Sequence, residues 1–146
     1  MVTKAFSTED GNLSSSIAVA RNRAFSDIDL SFQERPSGDI YKKVDVAAVK
    51  QAVKNLLLTN YGEKPFKPYF GANLSGLLFE NAGPALEEDI NDRVRRAIRL
   101  YEPRAIVRRV VVSSSTDYNS LWVRVDFQVV NVVEIQSVEI TLSRLR

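Results

Sequence analysis

The chain reads as an α+β domain, with two main helices packed on a C-terminal antiparallel sheet and an extended N-terminal arm. Three observations predict this. Apolar residues recur at three- and four-residue spacing from Val46 to Leu57 and again from Leu86 to Tyr101, a run rich in Val and Ile followed by two alternating segments replaces that period after Pro103, and residues 1–24 show neither pattern. A length of 146 residues with 45% hydrophobic content suits one core rather than two. The expected organisation is therefore an arm over residues 1–24, ordered by partners, and a single domain over residues 25–146.

The arm carries Ser, Thr, Asn and Gly, including Ser14-Ser15-Ser16, with scattered apolar positions. Ile28, Leu30 and Phe32 then alternate, which predicts a short extended piece reaching the sheet as an edge, before the turn residues Arg35-Pro36-Ser37-Gly38-Asp39. From Asp45, placed as an N-cap, the residues Val46, Val49, Val53, Leu56 and Leu57 share one helical face while Lys50 and Lys54 lie on the other. That helix should end near Thr59-Asn60. Tyr61 to Gly71 mixes prolines, glycines and aromatics, so it cannot continue a helix but has apolar area to pack on the domain. Leu74, Leu77, Leu78 and Phe79 suggest a short helix of two turns or fewer.

Pro84 suits the first position of a second helix, where its missing N–H would be unpaired anyway. Leu86, Ile90, Val94, Ala97, Ile98 and Tyr101 form the apolar stripe. Glu87, Glu88 and Asp89 occupy the early turns and Arg93, Arg95, Arg96 and Arg99 the later ones, a polarity that favours the helix dipole by ~0.3–1 kcal/mol per well-placed charge. Pro103 disfavours helical geometry at Glu102, so the chain should leave extended. Three strand candidates follow: residues 104–113; Leu121, Val123, Val125, Phe127 and Val129 alternating with polar residues; and Val138, Ile140 and Leu142 doing the same. A hairpin loop from Ser113 to Ser120 and a turn from Asn131 to Gln136 would make them an antiparallel meander. The helices should cover one face. Trp122, on the face opposite Leu121 and Val123, is expected under a helix or a partner.

Composition excludes several kinds of chemistry. The chain has no Cys and no His, which removes thiolate sites, disulfides and the usual imidazole acid or base. No cofactor or metal is expected. Twenty basic residues against 18 acidic ones leave a net charge of +2, too little to draw the whole protein to nucleic acid or an anionic membrane. No apolar run approaches the ~20 residues of a membrane span, and no secretion signal is evident at the N-terminus. The cations are uneven, however: all seven Lys precede residue 68, and ten of the 13 Arg lie from Arg93 onward. Arginine is favoured where planar, bidentate pairing or interface burial is needed.

Glu102-Pro103-Arg104 joins the basic end of the second helix to the first β-branched run. Taken alone, the two charges either form an intrachain ion pair or meet another subunit. Upstream lie Gly62-Glu63-Lys64-Pro65, Pro68, Phe70-Gly71, and a Leu-rich piece with Leu74, Leu77, Leu78, Phe79 and Glu80. Together with Phe25, Asp27, Ile28, Asp29, Phe32, Leu56, Leu57 and Thr59, this order resembles the sheath-initiator family of contractile-tailed phages and type VI secretion systems. The resemblance covers roughly residues 25–130, and Lys64 stands where an arginine is commoner.

What the resemblance implies is a structural role in a tail baseplate, assembled in the host cytoplasm. Partners would be the wedge core proteins and the tail sheath, with hub or tube proteins as further candidates. Glu102, Pro103 and Arg104 would anchor the chain in the wedge core, braced by Glu63 and Lys64. The last strands, with Ile140 and Leu142, would offer an open edge on which sheath polymerises by strand addition. The opposing reading is an edge guarded by Arg108, Arg109, Arg124 and Arg144.

Two other function classes compete. Relatives of this family have been labelled lysozyme-like, and glycoside hydrolysis needs two carboxyls across a cleft, about 5–9.5 Å apart. Glu63, Glu80 and Glu102 are the conceivable donors, but nothing in their spacing sets a pair opposite a sugar. A nucleic-acid module is suggested by residues 93–109, which hold seven Arg against the single acid Glu102. Those arginines divide between a helix and a strand, and no nucleic-acid motif accompanies them.

Overall fold

The computed structural model of the chain describes residues 25–81, 83–115 and 120–143. The expected arm over residues 1–24, Arg144, and residues 116–119 of the expected hairpin loop lie outside them. The chain divides into two compact units, one ending at Asp45 and one beginning at Val46.

In the first unit, β1 (Ser26–Ile28) pairs antiparallel with β2 (Lys42–Val44), Ser26 opposite Val44. Between them the Arg35–Asp39 turn closes as its residues predict, with Gly38 at φ +80° and its N–H donating to the Arg35 carbonyl at 2.9 Å. The alternation of Ile28, Leu30 and Phe32 does not supply an edge to the main sheet, because β1 belongs to a separate two-stranded hairpin. Asp29 is the reason. Its carboxylate accepts the Ser31 N–H at 3.0 Å and pairs with Lys43 Nζ at 3.1 Å, so the chain turns back after Ile28.

In the second unit, α1 (Val46–Leu58) buries Val49, Val53, Leu56 and Leu57 of the expected stripe together with Ala48, while Val46 is half-buried. Asp45 does not take the extended conformation of an N-cap. It sits at φ +50°, and its Oδ1 accepts the Phe25 N–H at 3.1 Å. A 3-10 helix (Ser75–Phe79) follows the loop and buries Leu77 beside the equally buried Leu74. Helix α2 (Pro84–Tyr101) opens on its proline and buries Leu86, Ile90, Val94, Ala97 and Ile98.

Strands β3 (Ala105–Ser115), β4 (Ser120–Val129) and β5 (Ile135–Ser143) form an antiparallel sheet in that order. Leu121, Val123, Val125, Phe127 and Val129 point from the central strand into the core, where Val138 and Ile140 join them from β5. Helix α1 packs against β5 and α2 against β3, closing this face. Burying a side chain the size of Phe127 contributes roughly 1.5–3 kcal/mol. The meander is tighter than its polar composition suggests. Strand pairing runs through Ser113, Ser114 and Ser115, opposite Trp122, Leu121 and Ser120, so much of the expected loop is strand. At the other turn, Asn131 takes φ +72° and the Val132 N–H donates to the Val129 carbonyl.

The second sheet face is lined by Trp122, Arg124, Asp126 and Gln128. Trp122 is half-buried there, between Ser113 and Thr141 in register, on the face opposite the buried Leu121 and Val123. Arg124 guards no edge. It lies on the central strand, with Nε 3.0 Å from Asp126 Oδ1 and Nη1 3.6 Å from Glu139 Oε1. The arginines that do lie on an edge strand are Arg108 and Arg109, at a bulge in β3 between Val107 and Arg109, where Arg108 Nη2 donates to Gln128 Oε1 at 2.6 Å.

Candidate docking site

Helix α2 ends because Pro103 forces Glu102 out of helical geometry, to φ −134° and ψ 68°. The Glu102 N–H still donates to the Ile98 carbonyl, and its own carbonyl accepts the Ala105 N–H at 3.0 Å, so the junction is pinned on both sides of the proline. The short connection turns the Glu102 and Arg104 side chains toward each other. Arg104 Nε donates to Glu102 Oε1 at 2.5 Å and Nη2 to Oε2 at 2.7 Å, a two-pronged pair. The side chain of Glu102 is only 8% exposed, against 36% for Arg104. The intrachain ion pair is therefore real, and it presents its cationic member to the surface.

The loop between α1 and the 3-10 helix is tied down by its own backbone. The Gly62 N–H donates to the Pro68 carbonyl at 2.8 Å, Lys67 to Lys64, and Phe70 to Lys67. Gly71 allows the loop to rejoin the core at φ +109°. A Cβ there would lie 2.2 Å from the Thr59 carbonyl oxygen, so only glycine fits. Glu63 shapes the start of the loop: one carboxylate oxygen accepts the Asn60 N–H and the other the Asn60 side-chain amide, both at 2.8 Å. The Asn60 N–H, and then the Asn60 amide, hold the Glu63 carboxyl below the usual value of 4.5.

Structure brings this loop to the helix end. Lys64 Nζ sits 3.9 Å from the centre of the Phe70 ring, and that ring lies 4.8 Å from the Tyr101 ring at a 55° tilt. The Tyr101 hydroxyl donates to the Tyr69 carbonyl at 2.9 Å. Lys64, Phe70 and Tyr101 therefore form one patch at the helix end, and Tyr101 is the residue before Glu102. Sequence reasoning had no role for Asn60, Tyr69 or Tyr101 in this patch. An Asn three residues before a Glu at a helix end is a readable turn signal; the Tyr101 contacts span 31 and 32 residues and leave none.

Ile140 and Leu142 are placed elsewhere. They lie on β5, the sheet edge opposite β3, facing Val123 and Leu121 across the ladder. Ile140 is buried at 4% exposure and Leu142 half-buried, so their side chains serve the core, and only the strand's backbone edge is on offer.

The carboxylates are equally informative. The Glu63 carboxyl is held below its usual value, whereas a glycosidase acid needs a raised one, and both oxygens of Glu102 accept from Arg104. Glu80 lies beside Phe79, Leu86 and Asp89 in a shallow depression. Among the described residues no cluster of three metal-ligating side chains occurs and no helix is long and apolar enough to cross a membrane. The arginine run is dispersed. Arg93 pairs with Asp89, Arg95 bonds Asn91, Arg104 holds Glu102 and Arg108 holds Gln128, while Arg96 and Arg99 share a surface with Asp92, Arg95 and Leu100.

Residues 44–132 match the family model described as baseplate wedge protein gp25. The chain is 30% identical over 123 residues to baseplate wedge protein gp25 of Enterobacteria phage T4, covering 84% of this chain and 93% of that one. Among solved structures, a chain of the anti-feeding prophage baseplate superposes with a TM-score of 0.61 at 18% identity, covering 84% of this chain and 88% of that one. A Geobacter sulfurreducens protein described as a tail lysozyme gives 0.60 at 19% identity, covering 68% and 90%. A chain of the postcontracted pyocin R2 baseplate gives 0.52 at 18% identity, covering 82% and 99%. At these identities the structural matches speak for the fold alone.

Proposed function

Since the chain belongs to the gp25 family of baseplate wedge proteins and is a structural component of a contractile-tail baseplate, we propose that it joins the wedge core to the tail sheath and sets the register in which sheath polymerises. The observation that carries this reading is the Glu102–Arg104 pair. A largely buried carboxylate grips the guanidinium through two nitrogens and so holds a surface arginine in one orientation before any partner arrives. Pro103 sets the path between them, and Glu63 and Lys64 brace the adjoining loop. The wedge core proteins would be met here, and hub or tube proteins on neighbouring surfaces. At the opposite side of the sheet, the edge of β5 would receive a strand from the first sheath subunit, backbone hydrogen bonds setting register. The role is read as non-enzymatic: Glu63 is engaged in holding the loop and Glu102 in holding the junction.

The test separates folding from assembly. Removing both charges, as Glu102→Gln with Arg104→Gln, leaves no stranded ion and should give a folded monomer that baseplates do not incorporate. A proline at a β5 position whose N–H faces away from β4 should yield baseplates without sheath. Sheathed tails from the proline variant would exclude β5 as template, and normal incorporation of the double variant would exclude the anchor.

A further inference from the structure

The loop that braces the junction also carries a feature the monomer does not use. The Lys67 N–H donates to the Lys64 carbonyl at 3.2 Å, closing a four-residue turn with Pro65 and Phe66 at its centre. Phe66 takes φ +63°. A turn with Pro at its second position and positive φ at its third is a type II turn, whose third position ordinarily takes Gly or Asn. A bulky residue is strained there. The Phe66 side chain is also 103% exposed, so it recovers nothing by burial. Strain combined with complete exposure is the pattern expected of a side chain kept for something outside its own fold.

The surroundings define what would receive it. The turn is held by the Gly62–Pro68 and Phe70–Lys67 backbone bonds, and Lys64 is held over Phe70, so the ring projects from a preorganised support. Tyr69, 76% exposed, and Tyr61, 45% exposed, stand edge to face at 6.2 Å in the same loop. Lys64 and Lys67 flank it, while Glu63 faces back to Asn60. We propose that Phe66 is a docking knob which a neighbouring tail protein receives in an apolar socket rimmed by carboxylates. An aromatic anchor needing little ordering on binding fits the energetic centre of such a contact. This contact is separate from the Glu102–Arg104 anchor and from the β5 edge, and rests only on the chain's place in a baseplate.

The chain has no cysteine, so Phe66→Cys creates a unique thiol. Its maleimide labelling should be at least ten-fold slower in assembled particles than in the isolated chain; equal rates would overturn the proposal. Should that variant fail to assemble, benzoylphenylalanine at position 66 keeps the aromatic bulk. On irradiation of particles it should crosslink to apolar residues of another tail protein beside Asp or Glu; a crosslink to a basic or wholly polar surface would refute the socket. Phe66→Gly should melt no lower than the parent, because it relieves the turn, yet be incorporated at least ten-fold less. Incorporation at the parental level would count decisively against docking. Two further outcomes would reassign the knob and so overturn the proposal: Phe66-dependent sedimentation with phosphatidylcholine–phosphatidylglycerol vesicles, or concentration-dependent self-association of the purified chain lost in Phe66→Gly.

Discussion

Phe70 and Tyr101 meet at 4.8 Å between ring centres, and this contact fastens the Pro-aromatic loop to the end of α2, one residue before the Glu102–Arg104 pair. The Tyr101 hydroxyl adds a hydrogen bond to the Tyr69 carbonyl. The loop is thereby part of the junction rather than a flap beside it. Phe70→Ala should cost about 2 kcal/mol, below the 3–5 of a fully buried aromatic because Phe70 is half-buried. Hydrogen exchange of residues 61–71 should speed up more than that of β4; uniform acceleration would show that the ring contact has no local role.

Two glycines in the same loop should respond differently to alanine. At Gly71 a Cβ meets the Thr59 backbone at 2.2 Å in addition to the unfavourable φ of +109°. Gly71→Ala should cost about 3 kcal/mol or more, or prevent soluble expression. Gly62, at φ +85° with open space around it, should lose only ~1–2 kcal/mol. Equal losses in chemical denaturation would mean that the close approach of Gly71 to Thr59 is relieved by backbone movement.

Removing one partner of the Glu102–Arg104 pair should be worse than removing both. Arg104→Gln leaves a nearly buried carboxylate without its cation, at a cost of about 2–3 kcal/mol, reduced from the 3–5 of a fully buried pair because Arg104 is one-third exposed. Glu102→Gln with Arg104→Gln should recover at least half of that loss. A double-variant cycle read by urea denaturation provides the comparison, and strictly additive losses would deny the coupling.

Glu63 predicts a pH dependence with a definite sign. Its carboxyl is held below 4.5 in the folded chain by the Asn60 N–H and amide. A depressed folded pKa contributes stability that is present above the unfolded value and is lost as pH falls through the folded one. Protection of the Asn60 amide should therefore fail below pH 4.5 and not near neutrality. In an NMR titration Glu63 should show a midpoint under 4.5, moving up in Asn60→Ala. A midpoint at or above 4.5 in the parent chain would contradict the hydrogen-bonded geometry.

Ile140→Ala should destabilise by roughly 2–4 kcal/mol, as a buried large-to-small change does. Any assembly defect in that variant would follow from the fold, which makes backbone-directed changes the useful probes of the β5 edge. Thermal unfolding at parental temperature would show the site to be less enclosed than the structure has it.

Local chemistry was legible where one element's own residues decide the outcome. The stripes of α1 and α2, Pro84 at a helix start, the break at Pro103 and the alternation of β4 were all readable, because period and proline sterics act within a few residues. Where a competing bond wins, the local reading misled: Asp29 turned the Ile28–Phe32 alternation away from the sheet, and Asp45 bonded Phe25, 20 residues away, instead of capping α1 in extended geometry. The order Gly62 to Pro65, then Glu102 to Arg104, was readable as motifs, but that the loop docks on the end of α2 required Phe70 and Tyr101 to meet across 31 residues. That contact, the burial of Ile140 and the exposure of Phe66 depend on how helices and sheet close on each other. Sequence determines which side chains are available and which backbone paths are forbidden; packing alone decides which of them are left facing outward.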